Sequence, residues 1–324
     1  MHLVSIETPM RDLGKGKKAN VGDRIFNRTI TGAAFTSLII LAGITVFLGA
    51  KAVPVLQEQG LSFLTETMWD PLGVPPEFGI AGMLYGSLLL AVIALVISVP
   101  VSLFLAVFMV FMAPPRVSKI LTNLVDLMAA IPSVIIGLWA FYVLVPPAQE
   151  WQQLLNQYLG WIPLFQNESG NFTGTPFIGG VVLAIMMVPI VTSITAEVLK
   201  RTPPELVNAA ESLGCSMFTM LRYVALPFGR GGIVGGVMLG LGRALGETIA
   251  VFFVLKLVFD INFYQIIESG GGSVATLIVS KFGETNGEYE VNVLLASGFF
   301  LFLMTLVVNA IANLIVARTD RLKS

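Results

Sequence analysis

Histidine and cysteine are almost missing from this sequence: 324 residues contain one of each, His2 and Cys215. With its only histidine on a polar tail, the chain lacks the parts of a Ser-His-Asp triad or a His-ligated metal site. A single cysteine permits no intrachain disulfide and no cysteine-based metal site. No G-x-x-x-x-G-K-[ST] stretch occurs, so any nucleotide that drives the protein must be bound by another chain. Charge is scarce as well. Asp, Glu, Lys and Arg make up 12%, against roughly 25% in a soluble domain, while 55% of residues are hydrophobic. That much apolar surface cannot be hidden in one water-soluble core of this length, and it excludes a disordered chain. Nineteen basic residues against twenty acidic leave a net charge of −1, so no nucleic-acid partner is expected.

What the sequence does have is long apolar runs. Membrane spans are expected at about 29–50, 84–112, 122–145, 177–199, 233–259 and 291–317, each near the roughly 20 residues needed to cross a bilayer. Helices satisfy their own backbone hydrogen bonds in lipid, so the fold class expected is an all-α membrane protein with six transmembrane helices. Thr29–Ala50 is 22 uncharged residues, longer than the roughly 7–15 of a cleavable signal core. It reads as an uncleaved anchor despite the small residues Ala50 and Ala52. Asp126 falls inside the third span, and Arg243, Glu247 and Lys256 inside the fifth.

Positive charge sets the expected orientation. Six basic residues lie in the segment through Arg28, and nine more are Arg116, Lys119, Lys200, Arg201, Arg222, Arg230, Arg318, Arg321 and Lys323. These fifteen share one side, which predicts cytoplasmic termini. The opposite loops carry eleven acids, from Glu58 to Glu290. The tail 1–28 reads as a solvated arm facing membrane lipid, and 318–324 as a second cytoplasmic tail.

The linker 200–230 is too long for a turn. Thr202-Pro203-Pro204-Glu205 reads as a capped helix start, and Gly214 suits the left-handed residue that ends a helix. A second short helix is expected over about 216–224, stopped by Leu226-Pro227. The result would be a helix–turn–helix on the cytoplasmic face, either a plain interfacial loop or a docking element.

Asn208-Ala209-Ala210, three residues, Gly214, nine residues, then Val224-x-Leu226-Pro227 resembles the EAA loop of ABC importer permeases. In that family the loop docks into a groove of the ATPase. The resemblance implies the type I importer permease fold, with Glu205, Asn208, Ala209, Ala210, Glu211, Gly214, Leu226 and Pro227 as coupling residues. Asn208 stands where the family pattern has Glu, and Val224 where it has Ile. Glu205 or Glu211 could supply the missing carboxylate.

Glycines crowd the first half of the fifth span. Small residues four apart let helix backbones approach closely in a bilayer, so Gly232, Gly236, Gly240 and Gly246 are candidate packing positions. At 100° per residue, Gly236, Gly240, Arg243 and Glu247 share one face. Arg243 and Glu247 also lie about ten residues or more from either end of the span, near the bilayer midplane. A charge there costs on the order of 3 kcal/mol or more and should face a bundle interior or a wet pathway. One reading is a translocation path in which Arg243 donates to an oxyanion and Glu247 keeps the site from becoming a trap. The other is a salt bridge locking two helices.

Gly240-Leu-Gly-Arg-Ala-Leu-Gly-Glu-Thr-Ile-Ala-Val251 and Ile131-Pro-Ser-Val-Ile-Ile-Gly137 resemble segments of phosphate-type ABC permeases, with wording closer to the PstC than to the PstA branch. Trp69-Asp-Pro71 and Phe78-Gly79 fit the same pattern. The resemblance implies a partner set: a PstA-like second permease, two ATPase subunits, and a periplasmic or lipid-anchored phosphate-binding protein. ATP and Mg would be held by the ATPase and no cofactor by this chain, which would be a transport subunit of the bacterial plasma membrane and not an enzyme. The residues alone leave open another oxyanion, such as sulfate or molybdate, and a carrier or channel that needs no ATPase.

Overall fold

The computed structural model describes residues 21–261 and 265–321. The expected lipid-facing arm at 1–28 lies outside the described residues as far as residue 20, as does the end of the 318–324 tail. The chain divides into two units, residues 1–50 and 51–324. The first holds most of α1 (Val21–Gln59). Along it the hydroxyls of Thr29, Thr36, Ser37 and Thr45 donate to the carbonyl one turn back, so these polar groups are satisfied without leaving an apolar helix.

The second unit begins with the last turns of α1. It continues through α2 (Ser62–Thr65) and a short antiparallel hairpin, β1 (Trp69–Asp70) with β2 (Glu77–Phe78), in which Trp69 lies opposite Phe78. Then come α3 (Ala81–Val107), extended by a wide π-type turn to Met112, α4 (Pro115–Ala130), and α5 (Ser133–Trp139). A second wide turn joins α5 to α6 (Val145–Leu159), which is followed by α7 (Pro176–Lys200), α8 (Pro204–Ser212) and α9 (Met217–Met220). A third, Leu221–Ala225, leads into α10 (Leu226–Gly246), followed by α11 (Ile249–Val254), α12 (Val274–Phe282) and α13 (Glu288–Arg321). Six helical stretches among the described residues are long and apolar enough to cross a membrane: Ile25–Gln59, Ala81–Met112, Ser133–Leu159, Pro176–Lys200, Met217–Gly246 and Glu288–Ala312. The fold is thus all-α, with α7 at the centre of the second unit between α3 and α10.

Two expected spans are placed differently. The stretch 122–145 is not one helix. Proline disfavours helical backbone in the residue before it, and Ile131, ahead of Pro132, is extended (ψ 128°). The apolar helix of this region is therefore Ser133–Leu159, and Asp126 lies exposed on the separate α4. The stretch 233–259 is not one helix either. It ends at Gly246, because Glu247 is extended (ψ 124°), resumes for the six residues of α11, and then runs extended.

That extended segment is held from both sides. Lys256 N donates to Gly174 O (3.3 Å) and Val258 N to Gly271 O (2.9 Å). Trp69 stacks on Phe259 with ring centroids 5.5 Å apart, tying the hairpin to the same strip. Lys256, expected inside the fifth span, is therefore part of this strip.

Candidate functional site

The glycines of α10 form two faces. Gly232, Gly236 and Gly240 lie against α7. A Cβ on Gly236 would meet Ile194 Cγ2 at 3.0 Å, one on Gly240 would meet Val191 Cγ2 at 2.9 Å, and one on Gly232 would strike Val198. Gly246 departs from the stripe. With Gly231, Gly235 and Gly242 it has nothing within 4 Å of an added Cβ. At 100° per residue it falls about 120° from Gly240, on the face of Gly231, Gly235 and Gly242.

Arg243 lies in the last turn of α10 and is exposed. With Ile190, Gly235, Met238, Leu239 and Gly242 it lines an open cavity of about 760 Å³. Glu247 has left the helix, so the shared face that helical periodicity places it on does not exist. Its Oε1 instead accepts from Ala250 N (3.4 Å), in the first turn of α11. Each charge thus sits at the helix end that suits its sign, the cation at a C-terminus and the carboxylate at an N-terminus. Among the described residues no ion pair joins them, and the guanidinium meets no carboxylate within ion-pair distance.

The two segments that carry the phosphate-type wording meet. Gly137 on α5 lies against the α11 backbone, where a Cβ would be 2.7 Å from Ala250 Cα. Gly137 therefore positions the segment that follows Glu247.

The linker after α7 forms a second candidate surface. Thr202 does not cap α8. Pro203 occupies the cap position, and the buried Thr202 hydroxyl makes no hydrogen bond. The helix ends as its glycine predicts: Gly214 has φ +74°, Gly214 N donates to Glu211 O (2.9 Å) and Cys215 N to Ala210 O (3.0 Å). Leu226-Pro227 does not stop the next helix. The wide turn, with Leu226 N donating to Leu221 O, shifts the ladder by one residue, and Pro227 falls in the first turn of α10, where its missing N–H is tolerated. Met217 to Gly246 is consequently one continuous helical rod.

Of the expected coupling residues, Glu205, Asn208, Ala209, Glu211, Gly214 and Pro227 are exposed. Ala210 is turned inward instead, packed with Ala106, Ala196, Leu199, Met220 and Ala225, and Leu226 is half-buried against the same cluster. This cluster fastens α8 to the ends of α3, α7 and the rod. The exposed face also carries Leu206, Leu213, Phe218 and Tyr223, which motif spacing does not single out. Replacing Gly214 by alanine should cost about 1–2 kcal/mol, because an L-residue is strained at φ +74°. A lowered thermal midpoint of the purified complex would show it, and an unchanged midpoint would contradict the strain argument.

Sequence reasoning also passed over Asn309 on α13, which lines the cavity beside Arg243. An uncharged last span offers periodicity no reason to single out one polar residue.

The sequence model for binding-protein-dependent transport system inner membrane components matches residues 98–323. The phosphate transport system permease protein PstC 2 of Mycobacterium tuberculosis is 37% identical over 302 residues, covering 92% of this chain and 93% of its own. PstC of Mycobacterium leprae is 38% identical over 296 residues (90% and 92%), and PstC of Haemophilus influenzae 35% over 310 (93% and 95%). Among solved structures, a bacterial alginate ABC transporter in complex with a pentasaccharide-bound periplasmic protein superposes with a TM-score of 0.59 at 14% identity, covering 92% of this chain and 96% of that one. At that identity the likeness is one of fold.

Proposed function

This chain belongs to the family of binding-protein-dependent transport system inner membrane components, and from that premise we propose that it is the membrane-spanning permease subunit of an ATP-driven importer of inorganic phosphate. The observation that carries the reading is similarity to phosphate permeases along about nine-tenths of the chain. The site chemistry agrees with it. Arg243 offers planar donors to an oxyanion in an open cavity, with no protein carboxylate within ion-pair distance among the described residues.

The fifteen basic residues then face the cytoplasm together with both termini. A PstA-like permease covers the open side of the cavity, and two ATPase subunits bind ATP and Mg. A periplasmic or lipid-anchored binding protein delivers phosphate to the acidic outer face, where free diffusion of an anion is disfavoured. The α8 face, with Glu205, Asn208 and Glu211 among exposed apolar side chains, docks on an ATPase. Because α8 is fastened to the rod Met217–Gly246, a push there moves Arg243, about 26 residues and roughly 40 Å along the same helix. Access to the cavity would alternate as the rod tilts.

The test is uptake of radiolabelled phosphate by the complete complex in vesicles. ATP-dependent uptake that excess sulfate and molybdate leave unchanged is the expected result. Inhibition by either anion would instead assign a broader oxyanion permease, and transport by this chain alone would refute the importer reading.

A further inference from the structure

Asp126 is a lone charge in an apolar setting. Ser118 Oγ donates to Met109 O (2.8 Å), which ties the start of α4 to the wide turn at the end of the α3 span. Towards the other end of α4, Met128 shares a groove with Ile185, near the middle of α7. Asp126 therefore lies eight residues beyond Ser118, about 12 Å along the helix, beside the midsection of a membrane-spanning helix. It is exposed, and no basic side chain stands within ion-pair distance among the described residues.

Around its axis α4 has three sides. Val125 is buried on the side that packs against α7. Ile120, Leu124 and Leu127 form an exposed apolar side. Lys119, Asn123 and Asp126 fall within about 60° of one another and make an exposed polar stripe on the third. Lipid suits the apolar side. It does not suit the stripe, because a carboxylate facing lipid at this depth is strongly unfavourable and such groups turn to protein or water. A water-filled anion path is the wrong neighbour as well, since a fixed carboxylate repels phosphate. Protein of opposite charge is the neighbour that remains. We propose that the polar stripe of α4 is a contact surface for the second permease subunit, and that Asp126 there meets a basic side chain of that subunit. An ion pair across an interface fixes register and suppresses wrong partners more than it adds affinity. The inference rests on the reading that a second permease completes the importer.

The test uses the complete complex with an affinity tag on this chain. A photoreactive benzoylphenylalanine replaces Asn123, and the membranes are irradiated. The expected product joins this chain to the second permease, identified by peptide mass. Adducts only with lipid, within this chain, or with a second copy of it overturn the proposal. Recovery gives a second readout. Asp126→Leu strands the partner's cation, so the amount of second permease recovered with this chain should fall severalfold while the chain itself stays monodisperse. Asp126→Asn keeps an acceptor and should fall between Asp126→Leu and the unaltered chain. Were lipid the neighbour, Asp126→Leu would leave recovery unchanged or raise it, and this inference alone fails. If the unaltered chain recovers no second permease, the importer reading fails instead.

Discussion

Arg243→Ala should lower ATP-driven phosphate uptake by about 10- to 150-fold, while the complex still assembles. The size follows from losing a hydrogen bond between a charged donor and the anion, which is worth about 1.5–3 kcal/mol. Assembly should survive because the side chain is exposed and makes no ion pair among the described residues, so its loss leaves no orphaned partner carboxylate. Arg243→Lys should fall between the two. It keeps the charge but replaces a planar fork by a point donor. Uptake at the wild-type rate in Arg243→Ala would remove this residue from the pathway. Glu247→Gln tests the other charge: its amide oxygen can still accept from Ala250 N, so a large effect on uptake would point to its charge and not to its capping.

Gly86→Ala should prevent the second unit from folding correctly, seen as loss of monodisperse purified protein. An added Cβ at Gly86 would collide with the carbonyl of Gly272, and one at Gly82 with the carbonyl of Phe259. Neither obstacle is a flexible side-chain tip. The Gly272 region is held by Gly271 O accepting from Val258 N (2.9 Å) and by Val274 N donating to Ser87 Oγ (3.0 Å), with Ser273 capping α12 just beyond. Relief requires breaking those bonds. Overpacking a tight core costs about 1–3 kcal/mol when side chains can yield, and more is expected where backbone must move. Gly246→Ala is the control. It meets nothing within 4 Å, and helix propensity should leave it neutral or slightly stabilising. If Gly86→Ala and Gly246→Ala behave alike, the close backbone approach is not what holds this region.

The two glycines show where sequence reasoning reaches its limit. Both sit on apolar helices at small-residue spacings, and nothing local separates the one that contacts backbone from the one that faces open space. Spacing within a motif travels better. Gly214 is legible because its left-handed backbone is a local demand of the helix end. Proline was read less well, since its effect depends on position. Pro132 ends a helix that the apolar pattern carries straight through, while Pro227, expected to end one, sits in a first turn that tolerates it. The break at Glu247 has no strong local signal. It occurs because α11 and the strip after it find other partners, Gly137 on α5 and the Gly271 carbonyl.

By itself the sequence determined the membrane class and the six apolar helices, since a bilayer sorts residues by polarity over stretches of about 20, a property summed along the chain. It also isolated Arg243 and Glu247, because charges are few enough in such stretches to be named one by one. Only the tertiary structure decided that these two charges do not pair, that the coupling helix is tied to a rod reaching Arg243, and that Asn309 stands beside it. Those facts depend on where helices break and which neighbours they meet. Both are settled by contacts between residues distant in sequence, to which a periodicity of 3.6 residues carries no information.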